Sequence, residues 1–321
     1  MTERADAIAG VVGVLRNASS IGVVGHVGPD GDALGSMIAL TLAARDAGID
    51  AVASFAEPFV VPEEMSFLDP STLVAPAAFP KDLDVGVVVD TSVQDRVGAL
   101  AGALSGAKHL VVVDHHISDG SWGDHILVDR SAAATAELIY ELILELGWPL
   151  SEPVATALYT GIVTDTGRFQ YSSTSPRTHT IAAELLRYGV RTDVIGQKLF
   201  EEAPFGYYEL AAAVLSRAVL DDKHRFVWSI MTLADLEKAG LEYHETDALI
   251  DLVRMARGTE VACLLKVKKA GVVKGSLRSR GVIDVAAIAN SFGGGGHHNA
   301  AGFTSSEAPE VIISKIGTLL P

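Results

Sequence analysis

Cysteine is nearly absent from this chain of 321 residues, which contains Cys263 alone. A single cysteine excludes a disulfide framework within the chain and a Cys-x-x-Cys zinc site. Because Cys263 lies in an apolar run, we interpret it as a small buried hydrophobic residue. No apolar stretch approaches the roughly 20 residues of a membrane-spanning helix, and the N-terminus has no secretory pattern. We therefore expect a cytoplasmic protein that does not contact a membrane.

Positive charge is also scarce, since 25 lysines and arginines face 40 aspartates and glutamates, for a formal net charge of −15. Proteins that grip long duplex DNA usually carry a basic face, so this balance disfavours that class. A small anionic substrate is still compatible, because a local site can oppose the overall charge. The length suits two domains of roughly 100–200 residues each.

The first half of the chain predicts an α/β fold. Continuous apolar runs at Ile21–Val24, Val85–Val89 and Leu110–Val113 are typical of parallel strands that are buried on both faces. Helical periodicity at 32–47 and 135–146 alternates with these runs. The pattern predicts a doubly wound, mainly parallel sheet.

The last third predicts a smaller α/β domain. Phe226–Met231, Val261–Val267 and Val272–Leu277 are predicted strands, and helices are predicted near 284–291 and 309–319. Glycines and a proline near 190–208 indicate a linker.

Aspartates and histidines follow four predicted elements in the first half. They are His26, Asp30 and Asp32 after the first strand, Asp90 after the second, Asp114, His115 and His116 after the third, and Asp165 after a predicted helix at 154–163. Ligands of open parallel sheets bind at the carboxyl ends of the strands, so we expect these side chains to converge. Each group alone could be an ordinary turn or helix cap. Together they predict one site.

The charge of that site predicts metal ions. Four converging carboxylates would repel one another unless cations neutralised them, and two divalent ions supply the opposite charge. Carboxylates mixed with imidazoles suit Mn²⁺ better than Ca²⁺ or Mg²⁺. Two-metal sites lower the pKa of water from ~15.7 to about 7, which suits hydrolysis of phosphoesters.

These residues resemble the motifs of the DHH phosphoesterases. The match comprises 26–36, Asp90, Asp114-His115-His116 and 164–167, while the run 293–297 with 300–302 resembles the glycine-rich motif of the DHH-associated domain. The resemblance covers nearly the whole chain and is nearest to the bacterial nano-RNase/pAp-phosphatase branch. It implies a catalytic domain at 1–190, a linker at 191–208 and a substrate-binding domain at 209–321, in a homodimer.

The resemblance also assigns roles. It implies two Mn²⁺ ions, with Mg²⁺ or Co²⁺ as substitutes, held by His26, Asp30, Asp32, Asp90, His115 and Asp165, with Asp90 bridging them. Asp114 would orient a neighbouring group, and His116 would donate to the phosphate or protonate the leaving group. No ligand position is missing.

A basic window predicts the substrate side. Residues 254–280 contain eight lysines and arginines, including Lys269, and one acid. A solvated edge strand protected by lysines is the alternative interpretation. The family resemblance points to Arg278 and Ser279 as substrate contacts, and we also predict contacts from Arg280, Gly295, Gly296 and His297. The glycines are interpreted as a close-approach loop or, alternatively, as a linker. They form neither a dinucleotide-binding fingerprint nor a P-loop.

We therefore expect hydrolysis of short oligoribonucleotides, including linear dinucleotides, to 5′-mononucleotides, with 3′-phosphatase activity on pAp. A cyclic-dinucleotide phosphodiesterase would share this chemistry. A nucleotide-binding sensor without catalysis is the alternative from another class, and a missing ligand would be its mark.

Overall fold

The computed structural model describes residues 2–116, 122–268 and 271–321, and the side chains of Thr2 and His297 lie outside that description. The chain divides into two compact units, unit 1 at Met1–Glu202 and unit 2 at Ala203–Pro321. Within the described ranges, no helix combines the length and apolar character needed to cross a membrane.

Unit 1 contains a sheet flanked by helices. Its helices and strands are α1 (Thr2–Arg16), β1 (Ser20–Val24), α2 (Gly31–Asp46), β2 (Asp50–Ser54), β3 (Val85–Val89), α3 (Ala101–Leu104), β4 (His109–Asp114), β5 (His125–Val128), α4 (Thr135–Leu146), α5 (Glu152–Asp165), α6 (Pro176–Leu186) and α7 (Thr192–Gly196). A π-helical turn at Gln197–Glu201 follows α7, so much of the predicted linker is helical.

The five strands of unit 1 pair in the order β2-β1-β3-β4-β5, and all pairs are parallel. The predicted doubly wound α/β fold is confirmed. Strands β1, β3 and β4 correspond to the three predicted runs, whereas the edge strands β2 and β5 were not predicted. The strand order reverses direction between β1 and β3, and such a switch point opens a crevice at the carboxyl ends of the strands.

Both faces of this sheet are covered, which explains why its strands are continuously apolar. Val85 and Val87 of β3 face the core formed with α1, α2, α4, α5 and α6. Val88 faces the second core, where Leu104 of α3 packs.

Helices α2 and α5 approach each other closely because Gly35 lies between them. A Cβ atom at Gly35 would lie 2.4 Å from the carbonyl oxygen of Ala157 and 3.0 Å from the nitrogen of Gly161. The pair therefore fixes the N-terminus of α2, which carries Asp32, beside the C-terminus of α5, which carries Asp165.

Unit 2 is built on a mixed sheet. Its elements are α8 (Phe205–Ser216), β6 (Val219–Asp221), β7 (Phe226–Met231), α9 (Leu233–Ala239), α10 (Leu249–Val253), β8 (Val261–Val267), β9 (Val273–Ser279), α11 (Val285–Asn290), β10 (Gly295–His297), β11 (Ala300–Ser305) and α12 (Pro309–Leu319). The strand order is β10-β11-β9-β8-β7-β6, and the pair β7–β8 is parallel among antiparallel pairs.

Two cores cover the faces of this second sheet. One contains residues of α11 and α12 and includes the fully buried Cys263, as its sequence context predicted. The other contains residues of α8, α9 and α10. Helix α8 begins inside the predicted linker, because Leu210 and Val214 extend a helical apolar stripe that is buried in this core.

Candidate metal centre

The predicted site residues of unit 1 converge at the carboxyl ends of β1, β3 and β4. Three groups of ligand atoms each lie within 4.8 Å of one another, namely His26 with Asp30 and Asp90, Asp32 with His115 and Asp165, and Asp90 with His115 and His116. Each of the six predicted metal ligands belongs to at least one group.

Asp90 joins the groups through its two carboxylate oxygens. Its Oδ2 lies 3.5 Å from Nε2 of His26, and its Oδ1 lies 3.7 Å from Nε2 of His115. His26 is also 3.8 Å from Oδ2 of Asp30. A carboxylate that faces a different imidazole on each side has the arrangement of a bridging ligand.

His115 is the centre of the second group. Its Nε2 lies 3.3 Å from Oδ2 of Asp165 and 3.8 Å from Oδ2 of Asp32. Asp165 reaches it from the C-terminus of α5 and Asp32 from the first turn of α2.

Backbone carbonyl oxygens orient both histidines so that they can bind a metal ion. Nδ1 of His26 lies 3.1 Å from the oxygen of Val27, and Nδ1 of His115 lies 3.2 Å from that of Ala132. Since a carbonyl oxygen only accepts, each Nδ1 carries the proton in the neutral ring, and the lone pair of Nε2 points into the acidic cluster.

The electrostatics favour added positive charge. Burial, followed by the charge of Asp32, raises the pKa of Asp90 well above its usual value. Burial and Asp32 likewise raise the pKa of Asp165. Burial alone would lower the pKa of His26, but Asp30 and Asp90 raise it to about 10. A buried set of mutually repelling carboxylates with imidazole lone pairs fits divalent cations.

Asp114 orients His116. The carboxylate accepts from the backbone N–H of His116 at 3.0 Å and from its Nδ1 at 2.7 Å, and Ser92 donates to the other oxygen at 2.8 Å. Burial opposes ionisation of Asp114, but His116 lowers its pKa to about 2. The Asp114 carboxylate therefore fixes the orientation of the half-buried His116 ring beside the acidic cluster.

The N-terminus of α4 holds two of the acids, and sequence reasoning missed it. The backbone amides of Thr135 and Ala136 donate to the oxygens of Asp32 at 2.6 and 2.9 Å, and Oγ1 of Thr135 donates to Oδ1 of Asp90 at 2.9 Å. Helix α4 has no side-chain cap of its own. Asp32 therefore satisfies amides that a helix start leaves free.

On unit 2, the predicted substrate residues surround strand β9. Arg278 is half-buried on the face that it shares with Lys274 and Ser276. Ser279 lies on the opposite, core-facing side, where its hydroxyl donates to Oδ1 of Asn299 at 3.1 Å. Arg280 donates to the carbonyl oxygens at 254 and 256.

The glycine run forms part of a hairpin between β10 and β11. A Cβ atom at Gly296 would lie 2.5 Å from the oxygen of Ala300, so this glycine allows a close approach of strands. Gly295 pairs with Gly302, and His297 pairs with Ala300. The side chain of His297 and the whole of Lys269 lie outside the described residues.

Comparisons with known proteins agree with this architecture. The family description "DHH family, N-terminal domain" matches residues 20–162, and "DHHA1 domain" matches residues 226–317.

Two relatives extend over most of the chain. A bifunctional oligoribonuclease and PAP phosphatase NrnA from Thermus thermophilus is 35% identical over 87% of this chain and 82% of its own. Its counterpart from Bacillus subtilis is 31% identical over 92% of each chain.

One solved structure shares the fold. The crystal structure of an exopolyphosphatase-related protein from Bacteroides fragilis aligns with a TM-score of 0.91 and 22% identity, covering 98% of this chain and 95% of that one. At this identity the likeness concerns the fold alone.

Proposed function

The chain belongs to the DHH family of phosphoesterases, and from that premise we propose that it hydrolyses short oligoribonucleotides and linear dinucleotides to 5′-mononucleotides, and also dephosphorylates pAp. Its relatives from Thermus and Bacillus carry both activities in their names and align over most of their lengths. The observation that carries the proposal is Asp90, whose two oxygens face the imidazoles of two adjoining ligand groups.

We propose that two Mn²⁺ ions occupy these groups. His26 and Asp30 would bind one, Asp32, His115 and Asp165 the other, and Asp90 both. When bound, the cations neutralise the carboxylates and lower the pKa of water at the site.

Side chains of the protein would bind the phosphate group and protonate the leaving oxygen. Asp114 holds Nδ1 of His116, and the imidazolium form of this ring would carry a second donor, Nε2–H. That N–H can donate to a nonbridging phosphate oxygen or protonate the leaving oxygen. Arg278, with two forked donors, suits a phosphate or a base edge at the substrate-binding domain.

A substrate panel tests this proposal. In Mn²⁺, we expect mononucleotide release from pApA and phosphate release from pAp, with slower turnover of cyclic di-AMP, a 24-mer RNA and pyrophosphate. Fast hydrolysis of the cyclic dinucleotide alone would point to a cyclic-dinucleotide phosphodiesterase. Tight binding of nucleotides without any turnover would point to a sensor.

The variant Asp90→Asn tests the mechanism. Loss of the shared ligand removes several kcal/mol of electrostatic stabilisation, so we expect kcat/KM to fall at least about 100-fold. The control is Asp95→Asn, an exposed aspartate soon after the same strand. Wild-type activity in Asp90→Asn would contradict the proposed site.

Assembly as a homodimer stays a prediction of the family resemblance, and location in the cytoplasm stays a prediction of the sequence pattern. Light scattering and cell fractionation measure them.

A further inference from the structure

One face of strand β9 in unit 2 carries a basic side chain near each of its ends. Lys274, Ser276 and Arg278 project from β9 on the face away from the core of α11 and α12. Opposite Ser276 on β11 lies Gly302, and opposite Arg278 lies Ala300. Small residues thus form the floor, and basic side chains stand at its two ends.

Lys266 at one end is unusual for its burial. It lies on β8 directly opposite Lys274, and its side chain is 0% exposed. Like charges in direct opposition destabilise a sheet, and burying an ammonium group costs further free energy. A buried ammonium group therefore needs a partner of opposite charge.

A single carboxylate serves both lysines. Oδ1 of Asp247 lies 2.5 Å from Nζ of Lys266 and 3.9 Å from Nζ of Lys274, yet the Asp247 side chain is 65% exposed. An exposed carboxylate can swing away at little cost, since water receives it. Asp247 therefore neutralises the pair only in part and can be displaced.

The other end repeats the arrangement. Oδ1 of Asp251 lies 3.9 Å from Nε of Arg278 and 3.6 Å from a terminal nitrogen of Arg254. Burial lowers the pKa of Lys266, although the nearby carboxylate of Asp247 opposes that shift. Four basic side chains, Lys266, Lys274, Arg254 and Arg278, thus lie against the two carboxylates of Asp247 and Asp251.

We propose that Lys266 and Lys274 bind a terminal phosphate monoester of the substrate, and that Asp247 takes its place when no substrate is bound. A phosphate monoester carries about −1.5 to −2 charges near neutral pH, more than one carboxylate, and so matches two ammonium groups. Arg278 stands about 13 Å away along β9 and is left to contact another group. This inference rests on the proposed function and names the substrate feature that unit 2 recognises.

The test compares pApA with ApA, which lacks the terminal phosphate. For each variant, KM and kcat are measured with Mn²⁺, and the affinity of the metal-free protein for each dinucleotide is measured by calorimetry. In Lys274→Met, we expect the preference for pApA over ApA to fall about tenfold, mainly through KM, because a charge-assisted contact is lost. In Asp247→Asn, removal of the competing anion should increase that preference severalfold.

Controls separate this site from a general charge effect. Lys315→Met removes a lysine from another ion pair of unit 2 and should leave both dinucleotides unchanged. Lys266→Met should reduce the preference like Lys274→Met, and its thermal unfolding shows whether it folds.

If Lys274→Met and Asp247→Asn keep the wild-type preference, the phosphate site is wrong, although Mn²⁺-dependent hydrolysis stands. If the wild-type protein hydrolyses neither dinucleotide, the proposed function itself fails. The two outcomes are therefore distinguishable.

Discussion

Asp90 adopts a backbone conformation that few residues with side chains tolerate. Its φ is 62°, in the left-handed region, while its N–H donates to the oxygen of Val113 on the neighbouring strand. Aspartate enters this region more readily than most residues. The turn presents the carboxylate between His26 and His115, so local strain of about 1–3 kcal/mol is retained where both oxygens are used.

Thr135 positions this carboxylate, which leads to a prediction. Thr135→Val keeps the shape and the backbone bond to Asp32 but removes the hydroxyl that donates to Asp90. We expect Mn²⁺ affinity, measured by calorimetry, to fall about 10- to 100-fold, as for other residues that orient metal ligands. Thr135→Ser should restore most of it.

The matched control for this prediction is Thr41→Val. The hydroxyl of Thr41 is equally buried but donates to the backbone oxygen of Met37, away from the acids. If both valine variants bind Mn²⁺ like the wild type, Thr135 merely packs.

Protonation of the histidines gives a prediction about pH. Without metal, neighbouring acids raise the pKa of His26 to about 10 and, against the opposing effect of burial, that of His115 to about 9. Both rings are therefore protonated at pH 7.5, whereas ligation needs neutral imidazole. Metal binding should release protons from both histidines, together with any held by Asp90 and Asp165, whose pKa burial raises, and affinity should rise with pH up to that range.

Calorimetry of Mn²⁺ binding in HEPES and in Tris measures this release. The apparent enthalpies should differ in proportion to the ionisation enthalpies of the buffers. Equal enthalpies would mean that no proton leaves and that the histidines are not ligands.

At the scale of elements, the contact between α2 and α5 sets the distance between acids from separate parts of the chain. Gly35 permits that contact, as the 2.4 Å separation from the oxygen of Ala157 shows. Alanine usually stabilises a helix over glycine by about 1 kcal/mol, but here its methyl group would meet rigid backbone.

We predict that Gly35→Ala lowers the free energy of unfolding by about 1–3 kcal/mol, because overpacking outweighs helix propensity. Gly13→Ala in α1 is the control, since a Cβ there meets nothing within 4 Å, and it should be slightly stabilising. Urea denaturation measures both. A Gly35→Ala variant as stable as Gly13→Ala would mean that the two helices can separate freely.

At the scale of the whole molecule, the sequence predicted site residues correctly where they stand at the end of a buried strand. Asp90 and Asp114 were placed correctly because continuous apolar runs mark parallel strands and the carboxyl ends of such strands meet. The edge strands β2 and β5 escaped prediction because polar residues shorten the apolar run of each, Asp50 and Ser54 in β2 and His125 in β5.

Contacts between distant parts of the chain were beyond sequence reasoning. Thr135 appeared only as the start of a helix, although it bonds Asp32, which lies 103 residues earlier. Lys266 appeared as one basic residue among eight, and its complete burial depends on the packing of unit 2. Hydrophobic periodicity shows which face of a helix or strand is buried, but it does not show which other helix or strand packs against that face.

The central claim is that scattered acids and imidazoles of unit 1 form one centre for two metal ions. Anomalous diffraction from crystals soaked in Mn²⁺ tests it most directly. We predict two peaks ~3.5–4 Å apart on either side of the Asp90 carboxylate. One should adjoin His26 and the other His115. The absence of both peaks at saturating Mn²⁺, or their appearance away from Asp90, would contradict the account.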